Sequence, residues 1–334
     1  MTHDLLPLSI ALTVNERTRP LLDGRIAAQG IALHATALDP SELFWRQLHY
    51  GDFDVSEMSL SSLLIAVSRG DLRWVALPVF TSRAMYHTRI LVRRDSGIER
   101  PADLKGRRVA VPEYQQTAAV WTRGVLQHEF GVHARDMEWY MERGADRSHA
   151  SATGGAPPPG VQLHTIAADS SISEQLANGG VDAALVTLPP HRNLVDRSRV
   201  DAASLPQVRR LFADPVAESR RYFGRTGIYP INHAVVVRRD LLERHPWIAL
   251  NLYHAFLEAK RLLEQEAAAV LRAYVDTGLV PADTLEALAH DPKAYGTKAA
   301  NATLQALVRY SREQGLIERE VSLDELFAPS TLEL

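Results

Sequence analysis

Short apolar runs and longer helix-spaced segments alternate along most of this chain. Leu8 to Val14 reads as a first strand, and the polar bend Asn15-Glu16-Arg17-Thr18 follows it. Pro20 to Gln29 reads as a short helix closed by Gly30, then Ile31 to Ala37 as a second strand and Pro40 to Tyr50 as a second helix. Gly51-Asp52-Phe53-Asp54-Val55 leads to Ser59, a plausible N-cap for a helix over Leu60 to Arg69. Trp74 to Phe80 is a further strand, and a loop containing Arg83 and His87 joins it to the apolar Ile90-Leu91-Val92. A second run of the same kind opens at Asp103: a strand over Arg108 to Val111, a bend Tyr114-Gln115-Gln116, and a helix over Thr117 to Phe130. Pro112 ends that strand because it has no N–H for a sheet ladder. The bend hands the chain to a helix N-terminus, where free N–H groups and the positive helix end attract an anion.

A strand over Val161 to Ile166, a helix over Ser171 to Asn178 and the stretch Gly179-Gly180-Val181-Asp182-Ala183-Ala184 complete the second run. Gly51 to Val55 and Gly180 to Ala184 share one order of helix, glycine and acidic strand opening, which predicts two α/β lobes of similar plan. Between these elements, Gly144 to Gly160 is rich in Gly, Ser, Ala and Pro and reads as a mobile surface insertion. Ala234 to Val237 is a returning strand. A long amphipathic helix from Pro246 to about Asp276 offers Ile248, Leu252, Phe256, Leu263 and Val270 for burial. Helices over Pro281 to Ala289 and Ala299 to Gln314 follow. The lobes are expected to comprise residues 1–95 with 228–334, and 96–227, with crossings near Ile90–Ser96 and Arg225–Val235.

Composition narrows the function. At 334 residues the chain can build two ordinary cores, and 46% apolar with 23% charged residues is normal for a soluble globular protein. A net charge of −3 gives no footprint for nucleic acid. With no cysteine, disulfides, thiolate catalysis and Cys-ligated zinc are excluded. The 13 histidines show no metal-binding spacing, so no metal or other cofactor is expected. Met1 to Ile10 lacks the basic start of a secretory signal and no apolar stretch reaches membrane-span length, which predicts a cytoplasmic protein without membrane contact.

The order of elements resembles the type II periplasmic-binding-protein fold, two lobes with a ligand cleft between them. A closer resemblance, over nearly the whole chain, is to the 4,5-dihydroxyphthalate decarboxylase family. It is carried by Arg17 to Gly24, Phe53-Asp54-Val55-Ser56-Glu57-Met58-Ser59, Pro78-Val79-Phe80-Thr81-Ser82-Arg83, Thr117 to Gly124, and Thr226-Gly227-Ile228-Tyr229-Pro230-Ile231-Asn232-His233. Three places depart from the family pattern: Asn15-Glu16-Arg17 stands for Tyr-Asp-Arg, Met85-Tyr86-His87 for Phe-Arg-His, and Asn232 for Met. The resemblance implies a cofactor-independent carboxy-lyase acting on a small aromatic carboxylate. A non-catalytic solute receptor of the same fold and a lyase for a related hydroxybenzoate are the alternatives, and a homo-oligomer is left open.

Such a reaction needs a proton donor, a partner that helps ionise a ring hydroxyl, and cations or N–H groups that hold carboxylates. His233, at the return crossing, is the candidate for proton transfer. Glu57, after a strand, either orients His233 or accepts the hydroxyl proton, the competing reading being a solvated acid. Arg17 and Arg83 sit in post-strand bends and suit carboxylates. Ser59, Tyr114 and Thr117 offer hydroxyls and His87 a second titratable group. Arg123 lies off the Thr117–Trp121 face, so a structural ion pair competes with substrate binding.

Overall fold

The computed structural model describes residues 5–186, 193–287 and 290–334. Eleven strands form two sheets in the described residues. The first holds β1 (Leu6–Leu12), β2 (Ile31–Ala37), β3 (Val55–Ser59), β4 (Trp74–Arg83) and β11 (Ile231–Arg238) in the order β2-β1-β3-β11-β4. The second holds β5 (Ile90–Arg93), β6 (Arg108–Val111), β7 (Glu138–Met141), β8 (Gln162–Thr165), β9 (Ala183–Leu185) and β10 (Val208–Arg210) in the order β10-β5-β9-β6-β7-β8. Pairing is parallel where helices cross over (β1 with β2 and β3, β6 with β7 and β9) and antiparallel at the returning strands β11, β5 and β10. This is the two-lobed α/β architecture that the alternating pattern predicts.

The repeated glycine-acid opening has a common physical role in both lobes. Gly51 and Gly179 close their helices in the left-handed conformation, at φ 65° and 76°. The acid that follows then holds a neighbouring strand: Asp54 accepts from the backbone N–H and hydroxyl of Ser9 at 2.9 and 2.8 Å. Asp182 likewise accepts from the backbone N–H of Arg108 at 3.0 Å and from its guanidinium at 2.7 Å. A carboxylate takes up N–H groups that the ladder leaves unpaired at the strand start.

Several elements differ from expectation. Ile90–Arg93 pairs with β9 and β10, so the first crossing runs over residues 84–89, earlier than the boundary at 95. The helix at Pro20 shrinks to Arg19–Leu22 because Gly24 turns into the left-handed region at φ 77°. Strand β7 was not anticipated, although Trp139 and Met141 alternate with half-buried neighbours as a strand should. Ser59 precedes the helix Leu60–Ser68 but makes no side-chain cap. The 144–160 stretch is not a mobile insertion: it contains a helix, His149–Thr153, whose first residue is 1% exposed. Of the helix expected over Pro281 to Ala289, Asp283–Ala287 is observed and positions 288–289 lie outside the described residues, as do Met1 to Asp4. In the long helix, Ile248–Asp276, Ile248, Leu252 and Phe256 are buried as expected, but Val270 is exposed.

The helix Thr297–Glu313 packs on the second-lobe helix Thr117–Phe130 and on Leu60–Ser68 of the first. The approach is close enough that a Cβ on Gly124 would collide with the Tyr310 ring. Gly124→Ala is therefore expected to destabilise the fold by about 1–3 kcal/mol through overpacking, measured by denaturant unfolding. Unchanged stability would show that the Tyr310 ring moves aside freely.

Candidate active site

Between the lobes lies a cavity of about 180 Å³. An apolar cavity of roughly 150 Å³ takes up benzene, so the volume suits a single aromatic ring. Its first-lobe wall comes from the ends of β3 and β4 and the start of β11, supplying Ser59, Ser82, Arg83, Asn232 and His233. The helix Pro40–Tyr50 adds Ser41 and Phe44. The second lobe contributes Gln116 and Thr117 at the helix N-terminus, with Arg143 and His149 beyond β7.

Neighbouring residues on a regular strand face opposite ways, yet Asn232 and His233 both line this cavity. The β11–β4 register shifts on either side of His233, and such irregularities re-aim side chains. His233 sits opposite Ser59 on β3 and Ser82 on β4, at the middle of the cavity floor. Its Nδ1–H donates to Glu57 Oε2 at 3.2 Å, and its Nε2 meets the Asn232 side-chain nitrogen at 2.8 Å. Asn232 Oδ1 is buried and lacks a donor; turning the amide over gives it one as soon as Nε2 carries a proton.

Glu57 is fully buried behind His233, and its other oxygen accepts from the Thr13 N–H at 2.9 Å and hydroxyl at 2.7 Å. Burial acts to raise its pKa, but the hydrogen bond and charge of His233, with Thr13, bring it below the ordinary value. A carboxylate so held stays ionised and fixes the Nδ1–H tautomer, leaving Nε2 as the working atom.

Arg83 lines the cavity, anchored by the carbonyls of Ala294 at 2.8 Å and Pro292 at 3.4 Å. Burial pulls its pKa down to about 10; Asp291 offsets this in part, and the charge of Arg17 adds to the fall. Arg17 lies one layer behind the cavity wall, donating from Nη2 to the Thr81 carbonyl, while its Nε and Nη1 are buried without a partner. Neither arginine has a carboxylate within ion-pair distance among the described residues. Arg17 is buried and Arg83 half-buried, and an anion is the kind of group that could complete the hydrogen bonding of such guanidinium groups. Thr117 joins the lobes through its hydroxyl, 2.9 Å from that of Ser59 and 3.0 Å from that of Ser61.

Six of the nine candidate residues thus converge: His233, Glu57, Ser59, Arg83, Thr117 and, behind the wall, Arg17. The other three lie apart from the cavity. His87 is bonded to Glu218 at 3.1 Å and packed against Phe212 and Tyr222. Arg123 donates to Gln314 and to the Tyr114 carbonyl, and its guanidinium lies 3.9 Å from the Tyr114 ring centre, so these two residues pack on each other away from the cavity. Sequence reasoning missed Arg143 and His149. The apolar alternation of Trp139 and Met141 would have revealed β7 and with it the post-strand position of Arg143. Among the described residues no group of three or more His, Asp or Glu is arranged to hold a metal ion, and no helix is long and apolar enough to cross a membrane.

Architecture and cavity define a protein of the two-lobed periplasmic-binding-protein class. The profile of the family described as "ABC transporter, phosphonate, periplasmic substrate-binding protein" matches residues 13–288. The alkanesulfonate-binding protein SsuA from Xanthomonas axonopodis pv. citri superposes with a TM-score of 0.56 at 17% identity, covering 99% of both chains. The desulfurization enzyme DszB superposes with 0.52 at 16%, covering 97% of both. In sequence, the chain is 35% identical over 333 residues to a 4,5-dihydroxyphthalate decarboxylase from Comamonas testosteroni, covering 98% of each. It is 38% identical over 180 residues to one from Pseudomonas putida, covering 54% of this chain and 70% of that protein. The chain belongs to the 4,5-dihydroxyphthalate decarboxylase family.

Proposed function

We propose that this chain is a carboxy-lyase converting 4,5-dihydroxyphthalate to 3,4-dihydroxybenzoate and carbon dioxide. The observation that carries the reading is the Glu57–His233 pair set in a ring-sized cavity beside an uncompensated arginine. Arg83, with Arg17 behind it, takes the carboxylate edge of the ring through charge-assisted hydrogen bonds. His233 Nε2, protonated from solvent, delivers its proton to the ring carbon that bears the departing carboxylate. A hydroxyl para to that carbon pushes electrons into the ring. The ring–carboxylate bond then breaks, its electron pair restores aromaticity and carbon dioxide leaves. Glu57 stabilises the imidazolium through Nδ1–H and is not itself protonated. Burial keeps water from competing for the carboxylate and favours its loss as a neutral gas.

Incubation of the protein with 4,5-dihydroxyphthalate tests this directly: 3,4-dihydroxybenzoate and carbon dioxide are expected in equal amounts. Tight binding of the acid with no product would identify a receptor of the same fold instead of an enzyme.

A further inference from the structure

The cavity has two chemically different ends. Strand order β4-β11-β3 places Arg83 at one side and His233 between Ser82 and Ser59. Beyond His233 comes the Phe44 ring, centred 4.6 Å from the imidazole, and beyond it His149, at 6.2 Å. Arg143 completes this far end, its Nη1 3.1 Å from His149 Nε2.

Arg143 is held from three directions. Its Nε–H donates to Asp196 at 2.9 Å, Nη2 donates to Ser41 across the lobe interface at 2.7 Å, and Nη1 donates to His149, with the Asp196 carboxylate also in ion-pair contact with Nη2 at 2.8 Å. These bonds occupy three of the five N–H groups of a guanidinium, which leaves one on Nη2 beside Asp196 and one on Nη1, and Arg143 lines the cavity. A guanidinium can only donate, so His149 Nε2 accepts, its proton sits on Nδ1 and donates to the Ser62 hydroxyl at 3.1 Å. His149 is therefore a neutral acceptor that fixes the arginine and has no proton to give the ligand. Consistently, burial and the charge of Arg143 hold its pKa well below the usual histidine range.

In 4,5-dihydroxyphthalate the two carboxylates and the two hydroxyls lie on opposite edges of the ring. With the carboxylate edge at Arg83, the hydroxyl edge meets the far end. We infer that Arg143 binds the catechol edge of the ligand and holds one of its hydroxyls ionised, with His149 as the residue that positions the guanidinium. The hydroxyl proton passes to solvent on binding. The oxyanion that remains accepts the spare Nη1–H and supplies the electron push. Because Asp196 already offsets the charge of Arg143, its contribution to a phenolate is a directed hydrogen bond more than a bare cation, unlike Arg83.

This inference rests on the decarboxylase reading, and its test separates the two. The probes are 3,4-dihydroxybenzoate, whose ultraviolet band shifts to longer wavelength on ionisation, and phthalate, which lacks hydroxyls. The parent protein is expected to bind 3,4-dihydroxybenzoate with the shifted spectrum at neutral pH. Arg143→Gln and Arg143→Lys should lose that shift and reduce turnover by about 100-fold, the effect of deleting one oxyanion donor, while phthalate affinity stays within about two-fold. His149→Leu should behave like Arg143→Lys, and His149→Gln, which keeps an acceptor, should recover part of the shift. These two also carry the test if Arg143→Gln does not fold. Equal loss of both probes would make Arg143 a carboxylate anchor and overturn the inference, as would an ionised ligand in the Arg143→Gln protein. A parent protein that ionises bound 3,4-dihydroxybenzoate but never releases carbon dioxide would leave Arg143 as assigned and remove the decarboxylase reading alone.

Discussion

His233→Asn is expected to lower turnover on the order of 100-fold or more, the usual contribution of a positioned acid–base group, with substrate affinity nearly unchanged. The expectation rests on how the imidazole is held. Nδ1 is committed to a buried carboxylate, so Nε2, in contact with the Asn232 amide, is the nitrogen left for the ligand. Asparagine keeps polarity and approximate shape but cannot titrate near neutral pH. A group used only in the transition state affects the rate and spares the ground state. Single-turnover decarboxylation beside equilibrium binding distinguishes the outcomes. Parent-like turnover, or a loss confined to affinity, would place the proton donor elsewhere. Glu57→Gln provides a companion measurement: it removes the charge that stabilises the imidazolium, so turnover should fall while the cavity stays intact.

Arg17→Met is expected to act in opposite directions on binding and on stability. Its guanidinium is buried with Nε and Nη1 unpartnered, an arrangement that costs free energy until an anion arrives. Replacement by a side chain of similar length should leave the ligand-free protein as stable as the parent or more so. The same change should weaken binding of the aromatic dicarboxylate by less than the ~1.5–3 kcal/mol of a direct charge-assisted hydrogen bond, because Arg17 acts from behind the wall. Arg83→Met, at a residue that lines the cavity, should weaken binding by the full ~1.5–3 kcal/mol and lose the anchors to Pro292 and Ala294, and with them some stability. Calorimetric titration and thermal unfolding on one preparation read both quantities. A destabilised Arg17→Met protein with parent affinity would show that Arg17 is structural.

The two-lobed α/β plan, most of the alternating strands and helices, and the placing of His233 and Glu57 on strands at the crossing were legible in the sequence because they follow from periodicity and from residues that flank strands. What the sequence could not show is which way a bend faces. Tyr114 and Thr117 lie three residues apart in one turn, yet Thr117 opens onto the cavity and Tyr114 turns inward to Arg123. His87 sits in the same loop as the cavity-lining Tyr86 and is spent on Glu218. The 144–160 stretch misled through composition: small residues read as disorder, whereas here they let a short helix pack tightly. A Cβ on Gly155 would press on Gln115 and Ala150. That packing brings His149 to the site.

The two kinds of contact between the lobes differ in how they come apart. Near the cavity the seam consists of hydroxyls, Ser59 and Ser61 against Thr117, with Ser61 also bonded to the Gln115 carbonyl at 2.6 Å. One turn along the same helix it consists of rings: Trp121 donates to the Ile231 carbonyl at 2.8 Å and packs edge-on against Tyr310. Water replaces hydroxyl–hydroxyl bonds at little net cost, but it cannot replace buried aromatic surface. The lobes are thus joined by buried hydroxyls beside the cavity and by buried rings one turn away. A movement that parted Ser59 and Ser61 from Thr117 would expose hydroxyls that water can satisfy, whereas one that parted Trp121 from Tyr310 would expose aromatic surface.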